Sequence, residues 1–91
     1  MREIYIRKLH YDEARIKLER EIQDAFVKGE KYIEIVHGIG EGILKKMTID
    51  YVGSQDFLKL VDRPEFLRSN PGTTMVEILG PSNETLRKYM K

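Results

Sequence analysis

Polar and apolar side chains alternate along residues 2–7, with Ile4 and Ile6 on one face and Glu3, Tyr5 and Arg7 on the other. A period of two predicts a short strand. Beyond Tyr11 the period changes. Ala14, Leu18, Ile22, Ala25 and Phe26 recur at spacings of three and four, which predicts a helix over 11–28 with one buried stripe. Asp12 and Glu13 stand in its first turn, Lys28 in its last, and Gly29 follows as a C-terminal cap. The opposite face (Arg15, Lys17, Glu19, Arg20, Glu21, Asp24) mixes charges and reads as solvated surface. Residues 31–37 form the next strand. Tyr32, Ile33, Ile35 and Val36 make it nearly continuously apolar, as in a central strand covered on at least one face.

Gly38, Gly40 and Gly42 end that strand, and Ile43-Leu44-Lys45-Lys46-Met47-Thr48-Ile49 opens a second helix. It is expected to reach Tyr51 or Val52, with Gly53 and Ser54 as punctuation. Phe57, Leu58, Leu60 and Val61 fit either a third strand or a helical turn, because so short a run carries no decisive period. Residues 63–72, with Pro64, Pro71 and Gly72, read as loop. Residues 73–79, rich in β-branched side chains, read as the last strand. Ser82 is placed to cap a short terminal helix over 84–89. This order predicts a two-layer α/β domain. The helix over 11–28 should join two parallel strands through a right-handed crossover, with the last strand antiparallel to part of the sheet.

Composition adds limits. A chain of 91 residues fits one small domain. Sixteen basic against fifteen acidic residues leave a net charge of +1, so a polyanion partner would have to be met by local segregation of charge. Cysteine is absent, which excludes disulfides, thiolate metal sites and cysteine nucleophiles. No run approaches the ~18 apolar residues of a membrane helix, and residues 1–6 lack the apolar core of a signal peptide. The expectation is a cytoplasmic protein with no membrane partner.

The glycine turn holds the candidate chemistry. Glycines between strand and helix allow positive φ and close approach of a ligand to backbone N–H groups, and the following helix N-terminus favours an anion. Lys45 and Lys46 add charge, and His37 ends the strand. A tight βα connection that needs glycine for geometry alone is the plainer reading of the same residues. The spacing G-x-G-x-G is neither a dinucleotide fingerprint nor a Walker A loop. His10 and His37 are the only histidines, too few for a protein-built metal cage, and no serine has a histidine at triad spacing.

With these elements placed, the stretch from Glu13-Ala14 through Gly29 to Ile35-Val36-His37-Gly38-Ile39-Gly40-Glu41-Gly42-Ile43-Leu44-Lys45 resembles the Smr (small MutS-related) domain. That family carries E-A early in helix one, a glycine after it, and then I-I-H-G-K-G-x-G-x-L-[RK]. Gly72-Thr73-Thr74-Met75-Val76-Glu77-Ile78-Leu79 is similar to its last strand. The resemblance covers residues 3–79 and is closest to the C-terminal Smr domain of the MutS branch that suppresses recombination. It implies a single two-layer α/β sandwich, a mixed four-stranded sheet with two main helices, similar to the C-terminal domain of translation initiation factor three. Residues 1–80 would form the domain and 81–91 a C-terminal helix or tail. It also implies DNA or RNA as partner, the ribosome in some members, and nicking endonuclease activity in several, with Mg2+ or Mn2+ if this chain is a nuclease.

Three departures bear on the chemistry. The family's first strand reads L-D-L-[HR]-G, and in register it falls on Ile4-Tyr5-Ile6-Arg7-Lys8. Tyr5 thus stands where the family has aspartate, Lys8 where it has glycine, and Ile39 where it commonly has lysine. Without the aspartate the best carboxylate for metal binding or proton handling is missing. Arg7 and Lys8 meanwhile add positive charge, which favours phosphate contacts. Three readings follow. In the first, Arg7, His37, Gly38, Gly40, Gly42, Lys45 and Lys46 hold nucleic-acid phosphates, with Lys8 at the rim. In the second, His37 is the general acid/base of a nicking endonuclease and Glu41 supplies the carboxylate. In the third, the domain is a protein–protein module of a larger MutS-like chain. The oligomeric state is left open.

Overall fold

The computed structural model describes residues 1–61 and 72–80. The expected loop over 63–71 and the Ser82-capped helix over 84–89 lie outside the described residues. The elements run β1 (Arg2–Tyr5), α1 (Tyr11–Val27), β2 (Tyr32–Val36), α2 (Ile43–Ser54), β3 (Leu58–Leu60) and β4 (Thr73–Ile78). They build one four-stranded sheet in the order β1-β2-β4-β3. β1 and β2 are parallel with α1 as their crossover, and β4 runs antiparallel to both β2 and β3. This is the open, mixed α/β arrangement that the pattern predicts.

Alternation decides which side of the sheet is core. Ile4, Ile6, Ile33, Ile35, Val76 and Ile78 are buried, whereas Glu3 and Tyr5 between them are exposed. Against the buried set pack Ala14, Leu18, Ile22 and Ala25 of α1, and Met47 and Val52 of α2. The stripe read from spacings of three and four is thus the stripe that is buried. Each large aliphatic side chain removed from water there contributes about 1.5–3 kcal/mol. Phe26 and Phe57 close the layer edge to face, with ring centroids 5.1 Å apart.

Several boundaries shift. β1 is shorter than its apolar pattern, because the amides of both Ile6 and Arg7 donate to the one carbonyl of Val36 and the chain then turns. Lys28 sits just past α1 as its C-cap residue. Gly29 at φ +73° follows, its amide donating to Phe26 O and that of Glu30 to Ala25 O, which is a Schellman ending. α2 does not stop at Val52: Gly53 and Ser54 complete its last turn. Val52 is buried at its inner face, and the Ser54 hydroxyl donates to Tyr51 O, which offsets the poor helix propensity of glycine. The ambiguous run at 57–61 contains a strand, since Leu58 to Leu60 find Ile78 to Val76 as partners. Among the described residues no helix is long and apolar enough to cross a membrane.

Candidate functional site

Because β1 and β2 are parallel, Tyr5 and Val36 end side by side and both chains leave the sheet at the same edge. One enters the turn toward α1, the other the glycine turn toward α2. Open α/β sheets place ligands outside the carboxyl ends of their strands, where such loops diverge. Here the divergence leaves a concavity of about 360 Å3. Arg7, Lys8 and Leu9 form one wall and His37 to Glu41 the second, while Gly42 to Lys45, the start of α2, form the third. A second hollow of about 300 Å3 lies against the glycine turn and shares Arg7, Gly38, Ile39 and Gly40 with the first.

Two glycines make this shape. Gly38 has φ +82°, so a side chain there would be strained, and its Cβ would stand in contact with the Arg7 Cβ at 3.4 Å, at β1's exit. Gly42 is the N-cap of α2, also at φ +82°, and supplies no capping side chain. Lys46 is the first helical amide to bond back, to Gly42 O at 2.9 Å. The amides before it have no capping side-chain acceptor, they belong to residues that line the concavity, and they carry the partial positive charge of a helix start.

His37 lines the concavity but is nearly buried in its floor. It is only 4% exposed, and both ring nitrogens are engaged within the protein. Nδ1 stands 2.8 Å from the Gly38 carbonyl oxygen and Nε2 2.8 Å from Thr74 Oγ1. A carbonyl can only accept, so Nδ1 carries the proton, and in the neutral ring Nε2 accepts from the Thr74 hydroxyl. The ring ties the glycine turn to β4. Thr74 escaped the sequence reading, although its parity with Val76 and Ile78 marks it as a polar residue on the inner face of a strand.

The structure brings Arg7, Lys8, Gly38, Gly40, Gly42 and Lys45 onto one surface, together with Glu41. Lys46 does not line it: the next helical position is rotated by about 100° from Lys45 and faces solvent. Among the described residues no carboxylate pairs with Arg7, Lys8 or Lys45. Tyr5 points away from the core on the sheet's open face, where its hydroxyl donates to the Glu3 carboxylate. That hydrogen bond and the charge of Glu3 push the phenol above its ordinary pKa. For a divalent cation the walls offer Glu41 as their single carboxylate and a histidine whose nitrogens are already used. Among the described residues no group of three or more His, Asp or Glu side chains converges to hold a metal. The donor set does not fit a resident metal ion.

Known proteins are similar to this chain in sequence and in fold. The family model described as the Smr domain matches residues 4–78. The chain is 36% identical over 80 residues to an "Endonuclease MutS2" of Geobacillus sp. (strain WCH70), covering 85% of this chain and 9% of that protein. It is 32% identical over 76 residues to an "Endonuclease MutS2" of Lactobacillus helveticus, covering 84% and 10%. It thus spans about a tenth of the length of the curated relatives it matches. In fold it is similar to the crystal structure of the Smr domain of Thermus thermophilus MutS2, with a TM-score of 0.74 at 23% identity, covering 89% of this chain and all of that one. With its two helices, mixed sheet and glycine turn after β2, this chain belongs to the Smr domain family.

Proposed function

We propose that the domain binds nucleic acid, DNA or RNA, by gripping backbone phosphates in the concavity between Arg7 and the start of α2. One observation carries the reading: Arg7, Lys8 and Lys45, which no carboxylate among the described residues pairs, line the same hollow as the uncapped first turn of α2. A phosphate there would meet N–H donors from the helix and charge-assisted hydrogen bonds from arginine and lysine. Ile39 and Ile43, more than half exposed on the same walls, present no hydrogen-bonding group for reading base edges. Affinity should therefore depend steeply on salt and weakly on sequence. Anisotropy titration of a labelled duplex and of an RNA strand over a salt series tests this. Binding absent at low salt, or unchanged in the Arg7→Ala/Lys45→Ala variant, would overturn it.

Nicking endonuclease activity is the second reading, favoured by the name of the relatives and by the exposed Glu41 on the wall. It ranks below binding because His37 has no free nitrogen to act as acid or base, and because Tyr5 stands in place of a carboxylate. A plasmid-nicking assay with magnesium or manganese decides between them. Nicking by the native chain that disappears in His37→Ala and Glu41→Gln, both shown to be folded, would raise the nuclease above the binder.

A further inference from the structure

The turn between β1 and α1 contains a residue in a conformation its side chain disfavours. Leu9 donates its amide to Ile6 O, closing a four-residue turn with Arg7 and Lys8 at its centre. Lys8, the third residue, has φ +67° and is the one non-glycine residue with positive φ among those described. A turn with positive φ at its third residue is of the type II class, whose preferred occupant there is glycine. In the left-handed region a side chain brings Cβ close to the following carbonyl, so lysine costs stability that glycine would not. Strained residues of this kind are held by the structure around them and cluster at ligand-binding sites. Among the described residues Lys8 makes no hydrogen bond or ion pair that would offset the cost of its conformation. It lines the concavity, as do its neighbour Arg7 and, from the start of α2, Lys45.

We infer that Lys8 is a phosphate-binding residue held against the preference of its own turn, so that folding and binding oppose each other at this position. The inference rests on the reading of the concavity as a phosphate site and adds a residue on which stability and affinity must move in opposite directions. It also names where the charge could sit without the conformational cost. Ile39, which lines the same concavity and is 68% exposed, has negative φ, so a lysine there would be unstrained.

The test uses the full chain with Lys8→Gly, Lys8→Ala, and Lys8→Gly combined with Ile39→Lys. The probes are a labelled DNA duplex of about 20 base pairs and the RNA strand of the same sequence, titrated from about 50 to 200 mM salt. Lys8→Gly should melt about 3–6 °C above the native chain, and Lys8→Ala, which keeps the left-handed backbone strained, should not. Both should bind about three- to tenfold more weakly at low salt, with the salt slope on the duplex reduced by about 0.9, the share of one phosphate contact. Adding Ile39→Lys should return affinity and slope while keeping the higher melting point. Loss on one probe alone assigns the site to DNA or to RNA and supports the inference equally. A Lys8→Gly chain that binds as the native one does, or melts below it, overturns the inference alone. A native chain that binds neither probe brings down the phosphate-site reading and this inference together.

Discussion

Arg2 and Arg7 mark opposite ends of the same stretch of chain, and the fold treats them in opposite ways. At the N-terminal end of β1, the Arg2 guanidinium sits 2.7 Å from Asp24 Oδ2 and 2.7 Å from Glu30 Oε2, and donates to the backbone oxygen of Glu21 at 3.0 Å. Only 15% of that side chain remains exposed. The pairing holds the Asp24 carboxyl below its usual range, chiefly through the hydrogen bond from Arg2 and then that from Lys28. At the C-terminal end, Arg7, Lys8 and Lys45 share a hollow, and among the described residues no carboxylate holds any of them. An arginine consumed by three acidic residues fastens α1 to the sheet edge. One left unpaired, beside a helix start, is available to an anion. A net charge of +1 conceals this difference, because the acidic residues neutralise one end and spare the other.

The largest test of this contrast concerns what supports the unpaired end. His37→Ala removes a buried ring and leaves the Gly38 carbonyl and Thr74 hydroxyl without their partner. It should destabilise the domain by about 3 kcal/mol, through a cavity and lost hydrogen bonds, as measured by urea unfolding. A stability change near zero would mean the ring does not hold the turn. Arg7→Ala with Lys45→Ala should act the other way round: about 10- to 100-fold weaker binding at low salt with little change in melting, since no internal contact is lost. Large destabilisation in that pair would show that the two ends are not so different.

At the paired end, Arg2→Met should cost only about 1 kcal/mol, because its carboxylate partners are partly solvated and screened, and should leave nucleic-acid affinity unaltered. Weaker binding by this variant would break the comparison outright. The smallest effect is in acid. Asp24 has a depressed pKa in the folded state, so its contribution is fully present above the ordinary carboxylate range and lost as pH falls through the folded value. Stability should decline below about pH 4, with a shallower decline in Arg2→Met. Parallel declines in the two chains would mean that Arg2 is not what holds Asp24 ionised.

Much of this was legible in the chain itself. Ala14, Leu18, Ile22 and Ala25 announced α1 and its buried face, because a helix repeats every 3.6 residues whatever it packs against. Ile33 and Ile35 announced a central strand, and His37-Gly38-Ile39-Gly40 with Glu13-Ala14 carried the family. Shorter elements were not legible. The run at 57–61 acquired its strand only from its pairing with Ile78 to Val76, and the turn at Gly53 is supported by the burial of Val52 and by the Ser54 hydroxyl on Tyr51 O.

The sequence by itself determined the longer elements, their inner faces and the family, since these follow from local periodicity and a fixed motif. Only the tertiary structure decided what the charged and polar residues do. Whether an arginine is spent on the fold or left for a ligand depends on carboxylates 19 to 28 positions away, at Glu21, Asp24 and Glu30. Whether His37 is free depends on Thr74 in another strand. Electrostatics and hydrogen bonding act through space over a few ångströms, and the order of residues along the chain does not record those distances.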